Sequence, residues 1–269
     1  MSKIKKLYDG ISVLIKKPSL INLILEDQDI NKRKVIEKYG LKNGLPKIEL
    51  SGLTDKTEHN ISTFTFLEGG SLPTDYLLLK ILAEKFSECT YFEIGTWRGE
   101  SAVNVAEVAN EVLTLNLSEE QMRLRNWGKK YIDLHGFFSK KNKSIKHLFG
   151  DSAEFDFSPW NKKCDLIFVD GDHRYDAVKR DTKNVFELRK NEKSIIVWHD
   201  YGMSTETTRW EVLLGILDGL PTSEHKNLYA VSNTLCAIYY PYTVKSFTPD
   251  FPATPFSNFS LKINFQRLD

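Results

Sequence analysis

Short apolar runs alternate with amphipathic helical patterns along most of this 269-residue sequence. Each run is five or six residues long, a length typical of strands buried on both faces. Such alternation predicts a parallel sheet with helices on both faces, a Rossmann-like α/β fold. We expect strands at 91–95, 112–116, 145–150, 165–170, 194–199, 227–231 and 235–240, and helices at 101–108, 119–134, 152–156, 176–190 and 207–217.

The connection between the last two expected strands is very short. Only Ser232–Thr234 join them. Three residues suffice for a hairpin but not for a parallel crossover. We therefore predict a seven-stranded sheet that is mostly parallel, with an antiparallel terminal hairpin strand.

The residues before this pattern look helical. Apolar side chains from Ile4 to Ile15 recur with the helical period, and Pro18 interrupts them. A second helix is expected at about Ile30–Tyr39, closed by Gly40. The lysines beside the first helix would suit a membrane surface, but we favour a helix packed by its apolar face.

Three regions follow from this organisation. We expect a helical extension over 1–67, an α/β domain over 68–240, and a C-terminal tail over 241–269. The sequence does not fix the oligomeric state and leaves a homo-oligomer open.

The charge balance narrows the partners. The chain has 37 basic and 36 acidic residues, a formal net charge of +1. Nucleic-acid binding usually needs a basic excess, so we expect no nucleic-acid partner. The apolar stretch "LINLIL" at 20–25 is too short to span a bilayer, so no membrane insertion is expected. Three widely spaced cysteines and no signal-peptide pattern favour the reducing cytoplasm.

The stretch "FEIGTWRGES" at 92–101 predicts a ligand-binding turn between a strand and a helix. Gly95 and Gly99 would let the backbone pass close to a ligand, and Ser101 could cap the next helix. A dinucleotide site would have G-x-G-x-x-G, whereas this spacing is G-x-x-x-G. Glu93 stands two residues before the first glycine, and a carboxylate there suits a cationic ligand better than a phosphate.

This stretch resembles the first motif of class I S-adenosylmethionine-dependent methyltransferases. In addition, "VLTLNLSEEQ" and "FGDSAEF" resemble the second and third motifs of that superfamily. The second motif normally ends on an acidic residue that holds the ribose, and Asn116 stands there instead; Asp151 would receive the adenine amino group. The resemblance implies S-adenosylmethionine as cofactor, bound by Glu93, Gly95, Thr96, Arg98, Gly99, Ser101, Asn116, Asp151, Ser152 and Asp170.

Two later stretches, "CDLIFVDGDHRYDAVKRD" and "SIIVWHDYG", each carry acidic residues after a strand. Neighbouring parallel strands lie about 4.8 Å apart, so Asp170, His199 and Asp200 should meet in one cleft. Clustered carboxylates need a cation or protons to neutralise them. Oxygen ligands with one imidazole suit Mg²⁺, Mn²⁺ or Fe²⁺. Trp97 and Trp198 are candidates for stacking on adenine or substrate, or for the core.

These stretches resemble the sugar and macrolide O-methyltransferases of the macrocin type, and more broadly the catechol-related ones. In that group, D-G-D and D-D-Y-G turns supply metal ligands and a base. The resemblance covers about 68–240 and implies an S-adenosylmethionine-binding methyltransferase domain there, with Asp170 and Asp200 as metal ligands and Asp172 as base. It also implies that the extension over 1–67 forms a substrate pocket or an oligomer contact. His199 replaces the first Asp of D-D-Y-G, so it would be a third ligand or the base. His173 is a weaker candidate base or a structural histidine, and the D-G-D turn could simply cap a helix.

The expected function is S-adenosylmethionine-dependent transfer of a methyl group to a hydroxyl of a small molecule or sugar, with Mg²⁺ or another divalent cation assisting. Two alternatives stay open: a hydroxylase-like relative on the same fold that uses the metal for oxygen chemistry, and a noncatalytic S-adenosylmethionine-binding protein. An NAD-linked oxidoreductase would need the glycine fingerprint that this sequence lacks.

Overall fold

The computed structural model describes residues 2–21 and 28–267. The chain divides into two compact units, Met1–Lys42 and Asn43–Asp269, so the division falls before the expected boundary at residue 67. The expected apolar stretch 20–25 lies mostly outside the described residues.

The first unit is helical, as the periodicity predicts. Helix α1 covers Lys3–Lys16 and a short 3-10 turn follows at Pro18–Leu20. Helix α2 covers Gln28–Tyr39. Gly40 follows it with a φ of 73°, the left-handed conformation that commonly ends helices.

The second unit is built on an eight-stranded sheet in the described part of the chain. Its strands are β1 Lys47–Ile48, β2 Thr90–Ile94, β3 Glu111–Asn116, β4 Ile145–Phe149, β5 Leu166–Val169, β6 Ile195–Trp198, β9 Leu228–Val231 and β10 Ala237–Tyr239. They lie side by side in the order β1-β9-β10-β6-β5-β2-β3-β4. Two further strands, β7 Gly202–Ser204 and β8 Thr207–Thr208, form a separate hairpin. All seven expected strands are present, and the expected Rossmann-like α/β class is confirmed.

The antiparallel strand β10 pairs with both β6 and β9. It therefore lies inside the sheet, and the sequence did not predict the short strand β1 that pairs with β9 beyond it. The C-terminal tail reaches this edge, since Lys47 and Phe247 exchange backbone hydrogen bonds of 2.8 and 2.9 Å. Part of the tail is thus ordered against the sheet.

Most helices lie close to their expected positions, with three differences. The expected helix 119–134 is two helices, because Asn126 adopts a φ of 58° between them. Residues 152–154 form turns rather than a helix, and 207–208 belong to β8. The helices of this unit are α3 Pro73–Ala83, α4 Glu100–Val105, α5 Glu119–Leu124, α6 Lys129–Leu134, α7 Tyr175–Leu188 and α8 Trp210–Gly219.

The core surrounds the central strands. Every residue of β5 and β6 is buried, which explains why both read as uninterrupted apolar runs. Trp198 on β6 is almost fully buried and its Nε1 donates to Thr182 Oγ1 at 2.9 Å, so it belongs to the core and not to a stacking site. The three cysteines are unpaired and buried. Among the described residues, no helix combines the length and apolar character needed to cross a bilayer.

Candidate active site

A cleft of about 1340 Å³ opens at the carboxyl ends of the central strands. This edge is where open α/β sheets bind ligands. Its volume exceeds the 300–1,000 Å³ typical of a single small-molecule site, so a cofactor and a second substrate could share it. Of the residues expected at the site, the cleft is lined by Gly95, Asn116, Asp151, Ser152, Asp170, Asp172, His173 and Asp200.

Gly95 is required by the protein itself. It adopts a φ of 94°, and a Cβ there would lie 2.6 Å from the carbonyl carbon of Asp170. The end of β2 thus packs directly on the end of β5. Gly95 does border the cleft, as expected. The space that its side chain would take is occupied by the backbone of Asp170.

Gly99 has the same kind of explanation. Its φ is 83°, and a Cβ would lie 2.6 Å from the Cβ of Ser139. Ser139 thus fills the direction that a side chain at Gly99 would take, and contact between Gly99 and a cofactor stays a prediction.

The carboxylate of Glu93 points into the protein. Its Oε2 accepts hydrogen bonds from Tyr91 at 2.7 Å and from Ser101 at 2.9 Å. Burial raises its pKa to about 7. Ser101 lies inside α4 rather than at its cap, which is Gly99. Glu93 and Ser101 thus stabilise each other behind the turn, contrary to the expectation of direct cofactor contact.

Thr96 and Arg98 are also buried behind the turn. Thr96 hydrogen-bonds the hydroxyl of Thr114 on β3. Arg98 donates to Glu100 at 3.2 Å and to the carbonyl of Glu68 at 3.0 Å. Both side chains therefore tie the turn to its neighbours: Thr96 to β3, and Arg98 to the segment that precedes α3.

The side of the cleft at β3 and β4 keeps polar groups that suit an adenosine. Asn116 ends β3 there, with an amide that can accept one hydroxyl hydrogen bond. Asp151 Oδ2 accepts from Arg125 at 2.6 Å, and its Oδ1 accepts from the backbone of Ala153 at 2.9 Å. Ser152 donates to buried Asp181 at 3.2 Å. A carboxylate has about four acceptor positions, so Asp151 keeps capacity for a further donor.

An aromatic wall, formed by Trp97, Trp127, Tyr131 and His135, lines the cleft next to the glycine turn. The ring centroids of Trp97 and Tyr131 are 4.6 Å apart, and Trp127 stacks on His135 at 5.8 Å. Burial lowers the pKa of His135, which favours a neutral ring. Trp97 thus faces the cleft, a position that its expected role of stacking on adenine or substrate requires. The aromatic wall offers an apolar, uncharged surface.

Four side chains meet where β5 and β6 end, and we call this set the acidic corner: Asp75, Asp170, His199 and Asp200. His199 Nδ1 lies 3.1 Å from Asp170 Oδ1 and 3.6 Å from Asp200 Oδ2. On the other side of the ring, Nε2 lies 3.2 Å from Asp75 Oδ2. The structure brings together the three residues that the sequence assigned to a metal.

Electrostatics in the acidic corner favour positive charge. Burial alone lowers the pKa of His199, but Asp170 and the other carboxylates outweigh it and hold that pKa well above its usual value. Burial raises the pKa of Asp170, against the attraction of His199. For Asp200, the burial that raises the pKa is outweighed by His199 and Arg209, so its pKa is lowered.

The acidic corner also fits a divalent cation. Ligand atoms of Asp170, His199 and Asp200 lie within 4.8 Å of one another. The Nδ1 of His199 is buried, and within the described ranges it has no partner with hydrogen-bond geometry. Metal-binding histidines usually have their other nitrogen held by a carboxylate, and Asp75 does this here. A proton on Nδ1 would satisfy the same carboxylates, so cation binding needs a direct test.

The two remaining expected catalytic residues line the cleft near this corner. Asp172 pairs with Arg174 and accepts from its backbone N–H at 2.9 Å. Burial raises the pKa of Asp172, but Arg174 outweighs this and lowers it. Asp172 thus closes a local turn just before α7, the N-cap of which is Arg174 without a side-chain cap, and the same Asp172 carboxylate faces the cleft. His173 is exposed at the rim.

Two backbone conformations mark the site as unusual. Trp97 and Asp200 adopt φ values of 41° and 56°. Non-glycine residues rarely occupy this region, and those that do concentrate at functional sites. The first is in the aromatic wall and the second in the acidic corner.

Fold and site together define an α/β protein with a ligand cleft at the carboxyl edge of a largely parallel sheet. A family model described as a methyltransferase domain matches residues 92–201. This stretch runs from within β2 to Tyr201, just after Asp200. Over these residues the chain is similar to a methyltransferase domain, in agreement with the resemblance drawn from the sequence.

Two solved structures illustrate the similarity. The O-methyltransferase from Bacillus cereus, in complex with SAH, is 17% identical over 64% of this chain and 82% of its own, with a TM-score of 0.45. An SAH-bound methyltransferase from Podospora anserina is 19% identical over 64% and 80%, with a TM-score of 0.43. The sequence has no significant match among curated proteins.

Sequence reasoning missed several residues of the site. Asp75 lies far from the motifs in sequence, in the first turn of α3. Its position after "LP" signals a helix start, because an acidic residue there accepts from the backbone at residue 72. That signal cannot show that the same carboxylate also reaches His199. The aromatic wall was equally hidden, since Trp127, Tyr131 and His135 follow no motif.

Proposed function

We propose that this protein transfers the methyl group of S-adenosylmethionine to a hydroxyl oxygen of a small molecule or sugar. The main support for this proposal is that the acidic corner shares one cleft with Gly95, Asn116 and Asp151. A site that bound only the methyl donor would need Gly95, Asn116 and Asp151 but not the acidic corner. The cluster of Asp170, His199 and Asp200 beside it supplies what a hydroxyl acceptor requires.

Adenosine would lie along the ends of β3 and β4. In this proposal Asn116 accepts a ribose hydroxyl, and Asp151 accepts from the adenine amino group. The aromatic wall would shield the donor from water, which strengthens electrostatic interactions in the cleft. S-adenosylmethionine supplies an electrophilic methyl group on a positively charged sulfur.

The acidic corner would hold the divalent cation through Asp170, His199 and Asp200. Such a cation, when bound, lowers the pKa of an oxygen next to it by several units. Asp75 fixes the histidine ring so that Nδ1 faces the two aspartates. His199 is therefore a ligand in this proposal and not the base.

The transfer is an in-line displacement. The acceptor oxygen forms a bond to the methyl carbon while the carbon–sulfur bond breaks, and S-adenosylhomocysteine leaves. The hydroxyl proton passes to Asp172 at the cleft rim. A base in this role typically contributes a factor of about 10² to 10⁴. Its ion pair with Arg174 makes Asp172 a weak base, which would suffice for an oxygen whose pKa a bound cation had lowered.

The test measures S-adenosylhomocysteine release with a panel of catechols and nucleotide-linked deoxysugars, with Mg²⁺ and with chelator. Asp172→Asn should lower turnover at least about 100-fold and leave donor binding unchanged. Asp176→Asn is the matched control, since Asp176 also lines the cleft, and it should stay near wild type. Full activity of Asp172→Asn would remove that residue from the mechanism. Transfer to amines alone would contradict the hydroxyl acceptor.

The cytoplasm stays our expected location. The three cysteines are unpaired and buried, and nothing in this proposal requires an oxidising compartment.

A further inference from the structure

Helix α1 exposes its apolar side chains. None of its residues is buried, so the expectation of a helix packed by its apolar face is not met within the described residues. The side chains recur every three or four positions and therefore form one stripe along the helix. The stripe consists of Ile4, Leu7, Tyr8, Ile11 and Ile15.

The rest of the helix surface is strongly basic. Lysines occupy both ends, three near the start and two at the finish, and Asp9 is the one acidic residue between Lys3 and Lys17. Long lysine side chains can lie along an apolar surface while their charged ends reach water or headgroups. The basic residues of this segment are Lys3, Lys5, Lys6, Lys16 and Lys17.

The length of α1 restricts how it can meet a bilayer. Its 14 residues extend about 21 Å at 1.5 Å per residue. The hydrocarbon core of a bilayer is about 30 Å thick. The helix is therefore too short to span, and an apolar stripe with basic flanks is typical of helices that lie in the interface plane.

We propose that α1 is a membrane-surface helix that binds anionic lipid headgroups and buries its apolar stripe at the edge of the acyl layer. The lysines identify the occupant. Each basic residue near an anionic surface contributes about 1 kcal/mol, and the segment carries five lysines against one aspartate.

A second copy of the same helix fits less well. Pairing two stripes would bring the lysine-rich flanks of both helices together, and like charges at short range repel. An acidic protein surface could match the charge, but a bilayer matches the charge and the apolar stripe over the whole helix length.

Two residues of α1 provide a matched test. Ile11 and Val13 are 49% and 47% exposed, so the same substitution should affect the folded chain equally. Two residues correspond to about 200° around a helix of 3.6 residues per turn, which places Val13 opposite the stripe that contains Ile11. Substitution by Asn changes no charge and costs similar helix propensity at both positions.

The experiment measures binding of the full-length chain to vesicles by co-sedimentation. Vesicles of phosphatidylcholine alone are compared with vesicles containing about one third phosphatidylglycerol. The wild type should prefer the anionic vesicles at least about tenfold. Ile11→Asn should weaken that binding about tenfold or more, and Val13→Asn less than about twofold.

Five results would overturn the proposal. Binding could be absent from both vesicle types, or equally strong to neutral ones. The two variants could lose binding equally. Ile11→Asn could abolish a concentration-dependent dimer without changing vesicle binding, which would make a second copy the occupant. Finally, Ile11→Asn alone could lower the melting temperature with vesicle binding unchanged, which would show that the stripe packs on the protein.

Discussion

The glycine turn at the end of β2 and the acidic corner at the ends of β5 and β6 lie on the same edge of the sheet. At the turn, polar side chains point into the protein: Glu93 binds Tyr91 and Ser101. At the corner, Asp170 and Asp200 line the cleft. The first region is specified by internal packing, whereas the second presents carboxylates to the cleft.

This difference shows what a glycine motif does and does not reveal. Gly95 and Gly99 indicate that a side chain would collide with something. The sequence cannot tell whether that neighbour is a ligand or, as here, Asp170 and Ser139. The motif therefore marks a turn at the edge of the cleft whose glycines are explained by internal packing, and cofactor binding at this turn stays a prediction.

The largest effect should come from Gly95→Ala. Both the positive φ and the clash with the Asp170 carbonyl oppose a Cβ, so we expect a loss of about 3–5 kcal/mol in unfolding free energy. Urea denaturation measures it. Gly52→Ala is the control, because a Cβ there would have no neighbour within 4 Å. If both variants were equally stable, the turn would be less tightly packed than the structure shows.

Stability should also depend on pH through Glu93. Its pKa is about 7 in the folded chain against an ordinary value of 4.5. Between these values the folded state holds more protons than the unfolded state, so stability falls as pH rises through the window. The loss should approach about 3 kcal/mol, and Glu93→Gln should flatten the curve.

Denaturation of wild type and variant at pH 5 and pH 8 measures this slope. Glu88→Gln, at an exposed position, is the control and should keep the wild-type slope. A wild-type stability that did not change over the window would mean that Glu93 faces solvent or a ligand, and would break the contrast between turn and corner.

The smallest of these effects is expected at Asp75. Asp75→Asn should weaken Mn²⁺ binding about 10- to 100-fold, because carboxylates that hold a metal-binding histidine typically contribute this much. Asp165→Asn is the matched control. Asp165 is also buried, but it lies at the start of β5, whereas Asp170 lies at the end of that strand. It should change Mn²⁺ affinity less than about twofold. Equal losses in the two variants would remove Asp75 from its positioning role.

The sequence predicted those parts of the fold and the site that leave a clear pattern of apolar residues or a short connection. Uninterrupted apolar runs and a three-residue hairpin connection sufficed for the seven strands and for the meeting of Asp170 with His199 and Asp200. Short elements without periodicity, such as β1 at Lys47–Ile48, left no such signal. Side-chain direction was hidden as well, because Glu93 and Ser101 find each other only when the strand and the helix pack.

Calorimetric titration of the full-length chain with S-adenosylmethionine tests the central claim most directly, once with Mg²⁺ and once with chelator. We predict binding at a single site in both conditions, with a dissociation constant of about 1 µM to 1 mM, because our proposal assigns the donor to the ends of β2–β4 and the cation to the ends of β5 and β6. The absence of binding heat in both conditions would contradict the account. Binding that required the cation would show that the two sites are not separate.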